Sequence, residues 1–249
     1  MANTYGFTVW LTGMSGAGKS TLAEYIAARL RQVGRNVEIL DEAEVGEELW
    51  GEEVGESKEE RSMIVRRLGY ASHLLSRNQV AVLVASVSPY KVGRDENRRI
   101  IGRYLEVFVD CPTEKLISRD STGKYKKALN GEIPNFIGIT EPYEPPNSPE
   151  VTIHSDSETV EDGALRIFQS LLDLGYVSGE DLKVITGKKM KAMPVPKKGA
   201  RRDEKVAPVK AMPVKAAVPA AKGSKARPAA RAARVGKPAA SKKASKSKR

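Results

Sequence analysis

Cysteine is nearly absent: the 249-residue chain holds one, Cys111. A single thiol cannot close an intrachain disulfide, so the expected setting is a reducing compartment. Histidine is almost as scarce. His73 and His154 lie far apart with no cysteine or histidine neighbours, which leaves no transition-metal ligand set. No run of about 18 apolar residues occurs, and no basic-then-apolar leader opens the chain. No membrane partner is therefore expected, and the reading is a soluble, cytoplasmic protein. Aromatic side chains stop at Tyr176, so nothing beyond that point can stack on nucleic-acid bases.

Acidic residues are missing from one end. From Lys188 onward there are 21 Lys and Arg against Asp203 and Glu204, leaving 21 basic and 29 acidic side chains in the first 187 residues. The net charge of +11 describes neither part. The composition after Gly187 is Lys, Ala, Pro and Val without hydrophobic period, too little apolar surface to offset chain entropy. Residues 188–249 are expected to form a disordered basic tail, 179–187 a linker, and 1–178 a folded domain. Such a tail suits salt-dependent attraction to RNA, DNA or polyphosphate, or serves only as a solubilising extension.

Within the first 178 residues, strand-like and helix-like patterns alternate. "FTVWLTG" (7–13), "NVEILD" (36–41), "VAVLVASVS" (80–88), "YLEVFVDCP" (104–112) and "EVTIHSD" (150–156) read as strands. Helices are expected from Lys19 to about Val33, over 58–78, from Tyr90, and over 157–175. Short joints between such elements define an α/β doubly wound parallel sheet. Residues 119–149 break the alternation. They are polar and Gly/Pro-rich with interspersed aromatics, and are read as a lid inserted between two strands.

"GMSGAGKS" matches G-x-x-x-x-G-K-[ST] from Gly13 to Ser20, after a strand and before a helix. Gly13, Met14, Ser15, Gly16, Ala17, Gly18, Lys19, Ser20 and Thr21 are the expected ATP-binding residues: amides of a glycine loop and a helix N-terminus turned toward phosphates. Lys19 reaches the β- and γ-phosphates, and Ser20 ligates Mg²⁺. Asp41, ending the second strand, is the second metal candidate and, with Lys19, a catalytic candidate. Arg61, Arg66 and Arg67 share one helix, Arg94, Arg98 and Arg99 another, and Arg119 opens the lid. Their clustering near strand ends points to an anionic second substrate.

"VSPYKVGRDENRR", "EVFVDCP", "GKYKKALNGEIPNFIG" and "PYEPPNSPE", with the phosphate loop, resemble the adenylyl-sulfate kinase family from about Gly6 to Val177. The resemblance implies a P-loop kinase fold and a homodimer. It also implies transfer of the ATP γ-phosphoryl group, with Mg²⁺, to the 3′-hydroxyl of adenosine 5′-phosphosulfate. It places Ser88 as a catalytic or acceptor-contacting serine. Pro89, Tyr90, Arg61, Arg94 and Arg119 fall at the acceptor, with Phe136 stacked on its adenine.

Five positions depart from the family pattern. Where it reads Asp-Gly-Asp and then Arg, this chain has Asp41, Glu42, Ala43 and Gly46. Glu56 replaces an aromatic and Ile64 an asparagine, while Thr122 stands at the lid lysine, beside Lys124. Loss of stacking at Glu56 costs about 1–3 kcal/mol of base binding, and loss of a hydrogen-bonding partner at Ile64 about 1–3 kcal/mol. Glu42 or Glu44 is the candidate replacement for the acid missing at Ala43. Three functions are consistent with the residues: phosphorylation of adenosine 5′-phosphosulfate, phosphorylation of another anionic acceptor on the same fold, and an ATP-binding module whose tail engages a polyanion.

Overall fold

The computed structural model describes residues 5–46, 49 and 57–187. The expectations for the basic tail and for Glu56 lie outside these residues. Five strands run β1 Phe7–Thr12, β2 Val37–Asp41, β3 Ala81–Ala85, β4 Tyr104–Asp110 and β5 Val151–His154. All pairs are parallel, in the order β2-β3-β1-β4-β5. Seven helices are labelled: α1 Lys19–Gln32, α2 Lys58–Arg77, α3 Lys91–Ile101, α4 Thr113–Arg119, α5 Lys124–Leu129, α6 Val160–Asp173 and α7 Gly179–Thr186.

The central strand β1 is buried along its whole length, so it carries apolar residues on both faces. Phe7, Val9 and Leu11 point into one cluster with Leu22, Ile26 and Leu30 of α1 and Ile167, Phe168 and Leu171 of α6. Trp10 points the other way, joining Val82, Val84 and Tyr104 against Val65 and Leu68 of α2. The period-2 alternation of a strand thus fills two layers at once. Helices on both faces leave the carboxyl edge of the sheet open, the edge at which such folds bind ligands.

Two boundaries differ from the expected ones. Residues 179–187 are not a linker. Ser178 accepts from the Asp181 amide and Asp181 returns the bond, a capping box that starts α7. Leu182 and Ile185 then bury themselves in the main core, and Gly187 ends the helix in the left-handed region at φ 65°. The segment 119–149 is also less open than its composition implies. It contains α5, and Tyr125, Ala128, Phe136 and Ile137 are buried within the domain.

Candidate active site

The turn from β1 into α1 carries the phosphate loop. Gly13 has φ 154°, and a Cβ there would collide with the Val109 carbonyl oxygen. Gly18, the N-cap of α1, sits in the left-handed region and offers no side-chain cap, and the first turn holds no acidic residue. The first amides of α1 are thereby left for an anion. Lys19 folds back over the loop: its Nζ donates to the carbonyls of Gly13 at 3.0 Å and Met14 at 2.9 Å. Burial lowers its ammonium to a pKa of about 8, with Glu42 and then Asp41 pulling the other way. Ser20 and Thr21 are exposed at the start of α1. A hydroxyl and a carboxylate are hard oxygen donors of the kind Mg²⁺ takes, so Ser20 and Asp41 are chemically suited to the expected metal. Among the described residues no group of three or more His, Cys, Asp and Glu is assembled for a metal.

The β2 and β3 ends build the other half of the site. Their register pairs Asp41 with Ala85, so the chain leaves both strands at the same height. Asp41 is buried, and its Oδ1 accepts from the Ala43 amide at 2.9 Å. Glu42 crosses to β3, where its Oε2 accepts from Ser86 Oγ at 2.7 Å and from the Val87 amide at 2.9 Å. Behind it, Trp10 Nε1 donates to Ser88 Oγ at 3.0 Å, and Ser88 Oγ donates to Ser86 Oγ at 2.7 Å. Ser88 is 0% exposed at φ 43°. Its hydroxyl is engaged inside the fold by Trp10 and Ser86, and the catalytic and acceptor-contacting role expected of it is a proposal.

Arg94 is held inside the fold in the same way. It is 1% exposed and pairs with Glu106 Oε1 at 3.1 Å. Its remaining nitrogens donate to the carbonyls of Ser88 and Glu144. Arg119 donates to the Ser155 carbonyl at 3.1 Å and lies 3.8 Å from Cys111 Sγ. Those partners follow β5 and β4, across β1 from Asp41. Arg61 donates to the Asn135 carbonyl at 3.0 Å, joining α2 to the segment beside Phe136. Phe136 itself is buried, edge-on to Tyr125 at 4.9 Å between ring centroids. In this arrangement it packs into the core instead of presenting a face to a base. Tyr90 is buried as well, with Lys58 Nζ 4.9 Å from its ring centroid, and the Pro89 carbonyl accepts from the Glu144 amide.

The positions that depart from the family pattern are of two kinds. Ile64 is buried in the cluster beneath β3, and Thr122 turns back to Asp120, its amide and hydroxyl both donating to Asp120 Oδ1. Ala43 and Glu44 are exposed and Gly46 half-buried on the chain that leaves β2.

Sequence reasoning missed Ser86, Tyr125 and Tyr143. The Tyr125 hydroxyl donates to the Ser15 carbonyl at 2.7 Å, latching α5 to the phosphate loop. Tyr143 Oη and Thr12 Oγ1 are 2.8 Å apart, and Glu144 accepts from the Lys91 amide, capping α3. "PYEPP" is thus a structural clamp, a role visible only once its partners are known. Removing the latch with Tyr125→Phe costs about 1 kcal/mol. The expected reading is an ATP KM raised about fivefold with kcat nearly unchanged, measured by steady-state kinetics.

A parallel sheet, a glycine-lysine phosphate cradle at its carboxyl edge and carboxylates at the end of β2, one strand beyond β3, define a phosphotransferase of the P-loop kinase class. Residues 5–154 match the family described as Adenylylsulphate kinase. The chain belongs to the adenylyl-sulfate kinase family. It is 46% identical over 173 residues to the adenylyl-sulfate kinase of Rippkaea orientalis, covering 70% of this chain and 95% of that one. Over 172 residues it is 48% identical to a probable bifunctional SAT/APS kinase 2 of Sorangium cellulosum, covering 69% of this chain but 29% of that larger protein. The structure of the Mycobacterium tuberculosis APS kinase CysC in complex with AMPPNP and APS superimposes with a TM-score of 0.64 at 32% identity, covering 67% of this chain and 98% of that one. No helix among the described residues is long and apolar enough to cross a membrane.

Proposed function

We propose that this chain moves the γ-phosphoryl group of ATP to the 3′-hydroxyl of adenosine 5′-phosphosulfate, giving 3′-phosphoadenosine 5′-phosphosulfate and ADP in sulfate assimilation. The observation that carries this reading is the near-complete span of the Rippkaea relative, 95% at 46% identity. It is joined to a phosphate loop whose lysine is already seated among the loop carbonyls. Lys19 steadies the charge that spreads over the transferring group. Ser20 and Asp41 would hold Mg²⁺, which when bound bridges phosphate oxygens and offsets their charge. The segment 119–149, latched through Tyr125, covers the cleft and keeps water from the phosphoryl group. The homodimer is proposed on the family likeness, the cytoplasmic setting on the single cysteine, and polyanion contact by residues 188–249 on their basic charge.

A second reading, the same chemistry on a different anionic acceptor, is favoured by one particular arrangement. Gly46 has no side chain to pair with a phosphosulfate, and the Glu42 carboxylate already takes the donors of Ser86 and Val87. A coupled ADP-release assay decides between them. Adenosine 5′-phosphosulfate is expected to support turnover at 1–100 s⁻¹, roughly the range of ordinary kinases, with AMP, gluconate and shikimate at least about tenfold slower. Faster turnover on any of these would transfer the assignment to it.

A further inference from the structure

We propose that Glu42 is the acceptor-orienting carboxylate of this site, its Oε1 accepting the hydrogen bond of the hydroxyl that attacks the γ-phosphoryl group. The inference rests on the kinase reading above and deepens it.

Four carboxylate-bearing or carboxylate-replacing positions follow one another where β2 ends. Asp41 is buried and its Oδ1 is tied to the Ala43 amide. Ala43 has no acid. Glu44 is exposed, and its amide bonds back to the Asp41 carbonyl, which turns the chain away from β3. Glu42 alone reaches the neighbouring strand end, where two donors fix one of its oxygens. Its second oxygen has no hydrogen-bond partner among the described residues. Both Glu42 and Asp41 act electrostatically on Lys19, Glu42 the more strongly.

The chain of hydrogen bonds behind Glu42 can run in one direction only. An indole N–H can only donate and an ionised carboxylate can only accept. Trp10 therefore donates to Ser88, Ser88 to Ser86, and Ser86 to Glu42. Trp10, Ser86 and Ser88 are buried, so the chain is fixed by packing at its start and ends on the half-buried carboxylate. One oxygen held by a buried, polarised chain, with the other left unbonded on a half-buried residue at the carboxyl end of the sheet, suits a positioned hydrogen-bond acceptor. In the transfer the hydroxyl oxygen forms the new P–O bond, while the bond from the γ-phosphorus to the bridging oxygen breaks. ADP leaves with that electron pair, and the hydroxyl proton, aligned by its hydrogen bond to Glu42, is released to solvent.

Glu42→Gln keeps the size and can still accept from Ser86 and Val87, so the variant is expected to fold with an unchanged melting temperature. With adenosine 5′-phosphosulfate its kcat should fall about 100-fold, while ADP affinity by titration calorimetry stays within about twofold. Glu44→Gln should match the wild type. The double variant Glu42→Gly/Ala43→Asp moves the carboxylate one residue along the chain and should regain at least about tenfold over Glu42→Gly. A readout independent of turnover is the Trp10 indole N–H resonance, assigned with Trp50→Phe: Glu42→Gln should move it and Glu44→Gln should not. If the wild type leaves adenosine 5′-phosphosulfate untouched, the acceptor proposed above falls. Glu42 is then judged by ATP hydrolysis, where water takes the hydroxyl's place and Glu42→Gln should be about tenfold slower. Wild-type kcat in Glu42→Gln, an equal loss in Glu44→Gln, or unaltered ATP hydrolysis in the untouched-acceptor case would each overturn the proposal.

Discussion

Arg94→Ala is expected to lower the unfolding free energy by about 3–5 kcal/mol and the melting temperature by roughly 10 °C, read by urea and thermal denaturation. Three of its nitrogens are committed: one to the Glu106 carboxylate and two to the backbone at Ser88 and Glu144. Removing the guanidinium strands Glu106, itself buried, with Arg98 as its remaining partner at 3.2 Å. The two carbonyls also lose their donor. Because a stranded charge is worse than none, Arg94→Met combined with Glu106→Gln should recover more than half of the loss. An arginine whose purpose was substrate contact would give the opposite pattern, a raised acceptor KM at unchanged stability.

Lys19→Met has the largest expected effect on chemistry, a fall of about 10²–10³ in kcat together with loss of measurable nucleotide binding in titration calorimetry. Stability should not fall with it. The Lys19 pKa is lowered to about 8 from 10.5 because burial penalises the ammonium. The folded state thus releases this proton before the unfolded chain does, and the penalty is fully present below pH 8. Between pH 8 and 10.5 the unfolded state holds the extra proton, so this residue's contribution to stability rises with pH across that window. Methionine removes the penalty, and the variant should melt no lower than the wild type at pH 7. The same shift gives binding a sign. Phosphate favours the charged lysine, so above pH 8 nucleotide binding should take up a proton, and affinity should fall by up to about tenfold per pH unit. Calorimetry in two buffers of different ionisation enthalpy measures the uptake directly.

The phosphate loop was legible because its chemistry is contiguous: eight residues, a strand before and a helix after. The strands and their parallel class were legible for a related reason, since β1 and β3 are short, apolar and bounded by turns. Glu42 was named only as one of two candidates, and its contact with Ser86 was not legible, because it depends on the pairing of Asp41 with Ala85, and no local pattern encodes the register between strands. Arg94 and Arg119 look alike in sequence, and only burial and strand order separate an internal brace from a residue beyond β4 and β5. Helix α7 could have been found. Ser178-x-x-Asp181, an apolar pair three apart at Leu182 and Ile185, and a closing Gly187 are start, core and stop signals together. They were hidden by their closeness to the Lys-rich stretch that follows.

The placement of β1 at the centre of the sheet has a consequence for how the chain assembles. Both partners of this strand lie far downstream, with Phe7 aligned on Ala81 and Thr8 on Tyr104. During synthesis the phosphate loop therefore emerges from the ribosome attached to a sticky, unpaired strand that stays so until Ala85 has been made. Long-range parallel pairing of this kind is slow. The binding loop takes its shape only late in biogenesis, when α2 and β3 are available to receive it.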